Sequence, residues 1–148
     1  MISTNHIDIF NLSKEKLDSI DKNLNSFLNE WKGESRIMST NTSGSTGKAK
    51  KINLEKKHMI ASGNATIDYF NLQKGNTFLV CLPISTIGGK MMLLRALLVK
   101  GEIIFLKPNK NPIKNLDVKI DFCALTPMQL ANSLDSNLNI NCIDKLII

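Results

Sequence analysis

Apolar positions follow a helical spacing in the first part of the chain. Between residues 13 and 33 they form one stripe, made of Leu17, Ile20, Leu24, Phe27, Leu28 and Trp31. The stripe predicts a single amphipathic helix, with Ser13 as its N-cap and Gly33 as its end. A second helix is predicted over residues 55–72, where apolar and small residues share one face. Short strands over residues 36–42 and 51–54 flank a polar loop between the two helices, which predicts a hairpin.

From residue 77 onward, continuous apolar runs alternate with helical segments. The runs cover residues 77–82, 102–106, 121–125 and 144–148, and the helical segments cover residues 89–99 and 126–134. Apolar strands that alternate with helices are typical of a parallel sheet buried on both faces. We therefore predict an α/β fold, with a largely parallel sheet and helices on both faces. Because helix 89–99 is apolar on most sides, we expect it to pack between two layers.

The last apolar run ends at Leu146, Ile147 and Ile148, without a turn or a polar tail. Because a complete domain rarely ends on an unprotected hydrophobic edge, we expect the chain to be the front part of a longer protein. We divide it into an N-terminal arm and helix, residues 1–35, and a partial domain, residues 36–148. An incomplete sheet would leave part of helix 89–99 uncovered. We therefore expect the chain alone to self-associate as a possible homodimer.

The charge balance favours an anionic ligand. Lysine and arginine outnumber aspartate and glutamate by 19 to 13, which gives a formal net charge of +6. Such an excess is typical of a solvated lysine-rich surface, or of a protein that attracts a polyphosphate or a nucleic acid. Nucleic-acid binding usually adds aromatic platforms. Aromatic residues make up only 5% of this chain, so we expect no nucleic-acid partner.

The cysteines and histidines do not have the spacing of metal ligands. Cys81, Cys123 and Cys142 form no Cys-x-x-Cys pair, and His6 and His58 lie far apart, so no metal site is expected. An odd number of cysteines without metal spacing indicates reduced thiols in a cytoplasmic protein. The N-terminus does not resemble a signal peptide. No apolar run is long enough to span a membrane, and no membrane partner is expected.

Residues 42–50, with the sequence TSGSTGKAK, combine glycines, hydroxyl side chains and lysines. Glycine lets the backbone turn its N–H groups toward an anion, hydroxyls donate to phosphate oxygens, and lysine adds a point charge. A flexible surface loop would have a similar composition. A Walker loop is disfavoured, because only Ser45 and Thr46 separate Gly44 from Gly47 and because a strand follows.

The same segment resembles the phosphate-loop signature of the adenylate-forming superfamily, which includes acyl-CoA ligases, peptide-synthetase adenylation domains and luciferases. The superfamily pattern is Ser/Thr-Ser-Gly-Ser/Thr-Thr-Gly-x-Pro-Lys, and the chain departs from it only at Ala49, where proline is usual. The segments around Pro83 and Pro127 are similar to later superfamily motifs. Within the superfamily, the chain most resembles the o-succinylbenzoate–CoA ligases of menaquinone biosynthesis. That likeness lies in residues 29–31 and in the Gly-Lys-Met-Met-x-x-Arg run that ends at Arg95.

The resemblance implies an ATP-dependent acid–CoA ligase that forms an acyl-adenylate and then an acyl-CoA thioester. It implies ATP, Mg²⁺ and CoA as cofactors, and a small carboxylic acid as substrate. The residues that it places at the ATP phosphates are Thr42, Ser43, Gly44, Ser45, Thr46, Gly47 and the catalytic Lys50, while Lys48 is expected to face solvent.

Four further residues are candidates for the acyl substrate. Thr86, Gly88 and Gly89 either line the acyl pocket or only cap the helix that follows. Arg95 either meets a substrate carboxylate or makes a structural ion pair. The remaining superfamily motifs are expected beyond residue 148, so we expect the chain alone to be inactive. The alternative is a stand-alone phosphate- or RNA-binding module without catalysis, which the basic charge favours.

Overall fold

The computed structural model of the chain describes residues 13–41, 50–114, 116–136 and 140–148. The predicted arm over residues 1–12 lies outside these ranges, and so do residues 42–49 of the predicted phosphate loop. The other predicted elements fall within the described residues.

The N-terminal helical segment is two helices, α1 (Lys14–Ile20) and α2 (Lys22–Lys32). Asp21 separates them in an extended conformation, with φ −152° and ψ 124°, and its carboxylate accepts a hydrogen bond from the Asn23 amide at 2.7 Å. The prediction of one continuous helix was therefore wrong at this residue. The physical reason is that an aspartate side chain satisfies free N–H groups at a helix start, and so competes with helix continuation. The predicted cap at Ser13 and the predicted end at Gly33 are confirmed.

The predicted hairpin is confirmed. Strand β1 (Ile37–Asn41) pairs antiparallel with β2 (Lys51–Glu55), with Asn41 opposite Lys51 at the end where residues 42–50 connect them. Helix α3 (Lys56–Tyr69) follows directly and confirms the second predicted helix.

The predicted parallel sheet is also confirmed. It has four strands in the order β4-β3-β5-β6, and all three neighbouring pairs are parallel. The strands are β3 (Thr77–Val80), β4 (Glu102–Phe105), β5 (Ile120–Ala124) and β6 (Ile143–Ile147). Helix α4 (Ile87–Val99) joins β3 to β4, and helix α5 (Pro127–Asp135) with a 3₁₀ turn (Ile140–Cys142) joins β5 to β6.

The two helical crossovers leave the sheet centre in opposite directions. The β3–α4–β4 connection leads to one edge, and the β5–α5–β6 connection leads to the other. Parallel crossovers are almost always right-handed, so α4 and α5 must cover opposite faces of the sheet. Between β3 and β5 the strand order therefore reverses, and crevices at the carboxyl ends of such strands are where α/β proteins bind ligands.

The core has one cluster on each face of the sheet. On the α4 face, Phe78 and Phe122 pack with residues of α1, α2, α3 and β1, including Phe27 and Met38. On the other face, Leu106, Ile113, Leu116 and Val118 pack against the sheet. The Gln129 side chain of α5 donates to the Asn109 carbonyl at 3.0 Å. These clusters confirm that both faces are buried.

Helix α4 is more completely covered than the sequence predicts. Met92, Leu93 and Leu94 are fully buried, and the whole stretch from Gly89 to Ala96 is buried. Helix α3 approaches closely at Gly63, where an added Cβ would lie 2.8 Å from Cδ1 of Leu98. The expectation that part of this helix is left bare was wrong for residues 89–96, because the N-terminal helices and α3 supply the covering layer.

The thiols are free, and two of the three are in the core. Cys81 and Cys123 are fully buried, and Cys142 is half-buried. A hydrogen bond with Cys81, reinforced by burial, raises the pKa of the Cys123 thiol well above its usual range. A thiol with a raised pKa is a poor nucleophile, so we assign Cys123 to packing. Within the described ranges, no helix has the length and apolar character needed to cross a bilayer.

Candidate functional site

The predicted phosphate loop begins and ends at fixed points of the hairpin. Residues 42–49, which include the predicted ligands Thr42, Ser43, Gly44, Ser45, Thr46 and Gly47, lie outside the described residues. Lys50 is described, and its side chain is exposed beside the start of β2. Because Asn41 and Lys51 pair across the hairpin, the two ends of the loop are held side by side.

The end of β1 is attached to the segment that follows β3. The Asn41 amide donates to the Ser85 carbonyl at 3.3 Å, and the Thr40 hydroxyl donates to the same oxygen at 3.5 Å. Asn41 and Thr86 also form an isolated parallel bridge. The structure therefore brings the base of the predicted phosphate loop next to the predicted acyl-pocket residues, at the carboxyl end of a strand beside the order reversal.

Thr86 caps α4. Its hydroxyl donates to the Pro83 carbonyl at 2.8 Å and accepts from the Gly89 amide at 3.4 Å. Capping of α4 is one of the two roles that the sequence left open for Thr86. The hydroxyl donates one hydrogen bond and accepts one within the cap itself.

Gly89 is required by a close backbone approach. An added Cβ would lie 2.6 Å from the carbonyl carbon of Pro83 and 2.9 Å from the Ile84 nitrogen. No side chain fits there without moving the backbone, so Gly89 closes the turn before α4. Gly88 is half-exposed, and an added Cβ there would meet Cδ1 of Leu82 at 3.1 Å. Of these two glycines, Gly89 is buried and Gly88 is partly accessible to solvent.

Arg95 is a buried cation. The residue is 8% exposed, and its Nε has no hydrogen-bond partner among the residues that the structure describes. Burial lowers the pKa of the guanidinium. Among the described residues, no carboxylate lies within salt-bridge distance of it, so the structural ion pair that the sequence left open is not found there. Gly88 lies seven residues, or about two turns, before Arg95 and shares its face of α4.

Burying a charged group without a partner is costly. Titratable groups perturbed by burial in this way cluster at functional sites. Because the guanidinium of Arg95 has no carboxylate partner among the described residues, Arg95 remains a candidate for contact with an anionic ligand.

The sequence interpretation missed a second buried cation, Lys90. Its ammonium group donates to the Ser39 carbonyl and lies 3.6 Å from a carboxylate oxygen of Glu30, whose other oxygen accepts from the Ser39 amide at 2.7 Å. A cavity of about 380 Å³ opens beside this group and is lined by α2, the end of β1, Lys51 and the segment before α4. The available signal was a lysine within an otherwise apolar helix start, Gly-Gly-Lys-Met-Met.

The family of the chain follows from comparison with known proteins. The family model described as AMP-binding enzyme matches residues 5–142, and the chain therefore belongs to the AMP-binding enzyme family. This confirms the predicted resemblance to the adenylate-forming superfamily. No curated protein matches the chain.

Several solved structures are similar to the chain. An acyl-CoA synthetase (AMP-forming)/AMP-acid ligase II-like protein from Dyadobacter fermentans is 34% identical, with a TM-score of 0.75, over 82% of this chain and 36% of its own. ATP-bound MatB from Rhodopseudomonas palustris is 21% identical, with a TM-score of 0.62, over 73% of this chain and 23% of its own.

An o-succinylbenzoate coenzyme A synthetase (MenE) from Bacillus subtilis, in complex with AMP, is 16% identical, with a TM-score of 0.60. The match covers 73% of this chain and 29% of the length of that protein. At the identities of MatB and MenE, the likeness shows a shared fold. The chain spans only 23% to 36% of the length of these three proteins.

Proposed function

We propose that these residues form the phosphate-binding part of an ATP-dependent acid–CoA ligase, and that its acid is o-succinylbenzoate. The observation that carries the proposal is the attachment of Asn41, at the base of the loop, to Ser85 at the carboxyl end of β3. This contact holds Asn41, the residue before the glycine-, hydroxyl- and lysine-rich segment, against the segment that follows β3 and carries the acyl-pocket candidates. The carboxyl ends of strands beside an order reversal are where α/β proteins bind ligands. Membership of the AMP-binding family supports the same reaction class.

In the first step, a carboxylate oxygen of the acid attacks the α-phosphorus of ATP, and pyrophosphate leaves. In this proposal the backbone N–H groups and hydroxyls of residues 42–47, with Lys50, hold the β- and γ-phosphates. Preoriented donors of this kind stabilise the charge that builds on the leaving pyrophosphate. In the second step, the CoA thiol attacks the acyl carbonyl carbon, AMP leaves, and the thioester forms.

Mg²⁺ is expected to accompany the polyphosphate. The described residues contain no group of three His, Cys, Asp or Glu side chains that fits a metal ion. The proposed contribution of the described part of the chain is to the phosphates and to the acid.

The proposed substrate agrees with the buried guanidinium of Arg95. A dicarboxylic acid keeps one carboxylate after the other has been adenylated, and o-succinylbenzoate is such an acid. Among the described residues Arg95 has no carboxylate partner, and an arginine matches a planar carboxylate with two parallel hydrogen bonds. Gly88 on the same face of α4 leaves room for the ring. An o-succinylbenzoate coenzyme A synthetase is among the proteins that share the fold of the chain.

The test is ATP–pyrophosphate exchange by the full-length protein that carries these residues, with o-succinylbenzoate, benzoate, malonate and a fatty acid in parallel. We expect exchange that depends on the acid and is fastest with o-succinylbenzoate, and none from the 148-residue chain alone. Exchange that is faster with a monocarboxylic acid than with o-succinylbenzoate would contradict the proposed substrate. Salt-dependent binding to random RNA, with neither ATP binding nor exchange, would favour the non-catalytic module instead.

A further inference from the structure

We infer that Lys90 and Glu30 are positioning residues, which hold the end of β1, the strand that precedes the predicted phosphate loop, against the start of α4. The inference rests on the proposed function and names side chains that do not themselves meet substrate. It follows from contacts that link three elements, α2, β1 and α4, through one buried group.

The side chains of Lys90 and Glu30 both bind the backbone of Ser39 in β1. The Lys90 ammonium donates to the Ser39 carbonyl, and the Glu30 carboxylate accepts from the Ser39 amide at 2.7 Å. The ion pair between the two side chains, at 3.6 Å, closes the triangle. The backbone donor and acceptor of one residue are thus both bound by charged side chains, which fixes that residue against sliding along the strand.

Ser39 lies close to the two parts of the proposed site, which are the base of the predicted phosphate loop and the start of α4. Ser39 is two residues before Asn41, after which the loop begins, and Lys90 directly follows Gly89 in the first turn of α4. A shift of Ser39 would move Asn41, and with it the base of the loop. A misplacement of about 1 Å at a reacting group can cost on the order of 100-fold in rate.

Stability alone does not explain a lysine at this position. Residue 90 is 7% exposed, in a helix that is otherwise almost entirely apolar. Replacing a buried ion pair by apolar residues of similar size is often neutral or stabilising, because the charges no longer have to be desolvated. A methionine would fill the same space. What it cannot do is hold the Ser39 carbonyl, and this is the function that we assign to Lys90.

The experiment measures exchange kinetics and thermal unfolding of the full-length protein with Lys90→Met, Lys90→Arg and Glu30→Gln. For Lys90→Met we expect kcat/KM for ATP to fall about 10- to 100-fold, through a lower kcat and a raised KM for ATP. The KM for the acid should stay unchanged. Lys90→Arg, which keeps the donor and the charge, should recover most of the loss. Combining Lys90→Met with Glu30→Gln should add little to the effect of Lys90→Met alone, because both act on one group.

Lys56→Met is the matched control. The Lys56 ammonium also binds α2, at its C-terminal end, by donating to the Trp31 carbonyl at 2.9 Å and the Gly33 carbonyl at 2.8 Å. It does so at the end of the hairpin that is remote from the loop, next to the pair of Ile37 and Glu55. We expect its loss to lower the unfolding temperature and to leave both kinetic constants unchanged.

The outcomes separate this inference from the proposed function. Wild-type kinetics in a folded Lys90→Met protein, or equal kinetic losses in Lys90→Met and Lys56→Met, would overturn the inference alone. If Lys90→Met does not fold, Glu30→Gln decides: a several-fold loss in kcat/KM for ATP supports the inference, and no loss overturns it. Absence of acid-dependent exchange in the wild-type protein would overturn the proposed function and the inference with it.

Discussion

The backbone amide of Asn41 lies 3.3 Å from the carbonyl oxygen of Ser85. This hydrogen bond joins the last residue of the first hairpin strand to the turn that leads into α4. Since the hairpin and the parallel sheet are otherwise separate sheets, the contact orients one relative to the other at the point where the phosphate loop begins.

The first prediction separates the two lysines of the loop. Lys50→Ala in the full-length protein should slow adenylation by roughly 30- to 1000-fold, because losing one preorganised charge contact to the pyrophosphate costs about 2–4 kcal/mol of transition-state stabilisation. Lys48→Ala, which removes the same charge from the same loop, should cost much less. Single-turnover formation of the acyl-adenylate measures both. Equal losses, or no loss with Lys50→Ala, would contradict the assignment of Lys50.

The second prediction concerns the turn before α4. Gly89→Ala should lower the free energy of unfolding by about 1–3 kcal/mol or more, since the added methyl group meets the backbone at Pro83 and cannot be relieved by a rotamer change. Gly88→Ala is the control, because its methyl group would meet side chains rather than backbone, with the movable Cδ1 of Leu82 nearest at 3.1 Å and Oγ1 of Thr86 at 4.0 Å. Urea denaturation measures both. A Gly89→Ala protein as stable as Gly88→Ala would show that the turn relaxes freely.

The third prediction concerns the buried guanidinium of Arg95. Arg95→Met should leave the unfolding free energy of the ligand-free protein unchanged or raised, because it removes a buried charge without a carboxylate partner among the described residues. The same change should raise the KM for the acid about 10- to 150-fold, since a hydrogen bond to a charged group contributes about 1.5–3 kcal/mol. The KM for ATP should not change.

Arg95→Lys provides the control for this change, because it keeps the charge and loses the two-pronged geometry. We expect an intermediate KM for the acid. A loss of about 3–5 kcal/mol of stability in Arg95→Met would instead show that Arg95 completes a structural ion pair, and the proposed contact with substrate would be wrong.

The fourth prediction is that the 148-residue chain self-associates. Strand β6 has β5 as its only neighbour in the described part of the sheet, and Ile148 and Met128 are 64% and 59% exposed. Open strand edges and apolar patches drive pairing with another chain. Light scattering over a dilution series should show a dimer in both low and high salt, because apolar contacts are not screened.

A single change at the edge tests the same point. Ile148→Lys should shift the equilibrium toward monomer, since a lysine at an open strand edge opposes pairing. A monodisperse wild-type monomer at high concentration in both salts would contradict the prediction.

Local patterns in the sequence were enough to predict most elements, and a polar residue explains where they failed. The hairpin, the helix predicted over residues 126–134 and the parallel strands all follow from short-range periodicity and turn chemistry. The break at Asp21 did not, because an aspartate on the polar face of an amphipathic helix looks the same whether it continues the helix or caps the next one.

Features that depend on distant residues were not predictable. The order β4-β3-β5-β6 depends on contacts between the strands and helices, which periodicity does not encode. The pairing of Lys90 with Glu30 joins two helices that are far apart in sequence. The apolar neighbours of Lys90 mark it as unusual, but they do not identify its partner. The superfamily resemblance gave the phosphate loop, whereas the positions of Gly89 and Arg95 in the site required the coordinates.

The most direct test of the central claim is a crystal structure of the full-length protein with ATP, read for the distances from the β- and γ-phosphate oxygens to residues 42–50. We expect phosphate oxygens within about 2.7–3.2 Å of the backbone N–H groups and hydroxyls of residues 42–47, which is the range of protein hydrogen bonds, and the Lys50 ammonium in contact with the same phosphates. A triphosphate bound elsewhere, with the loop turned away from it, would contradict the account.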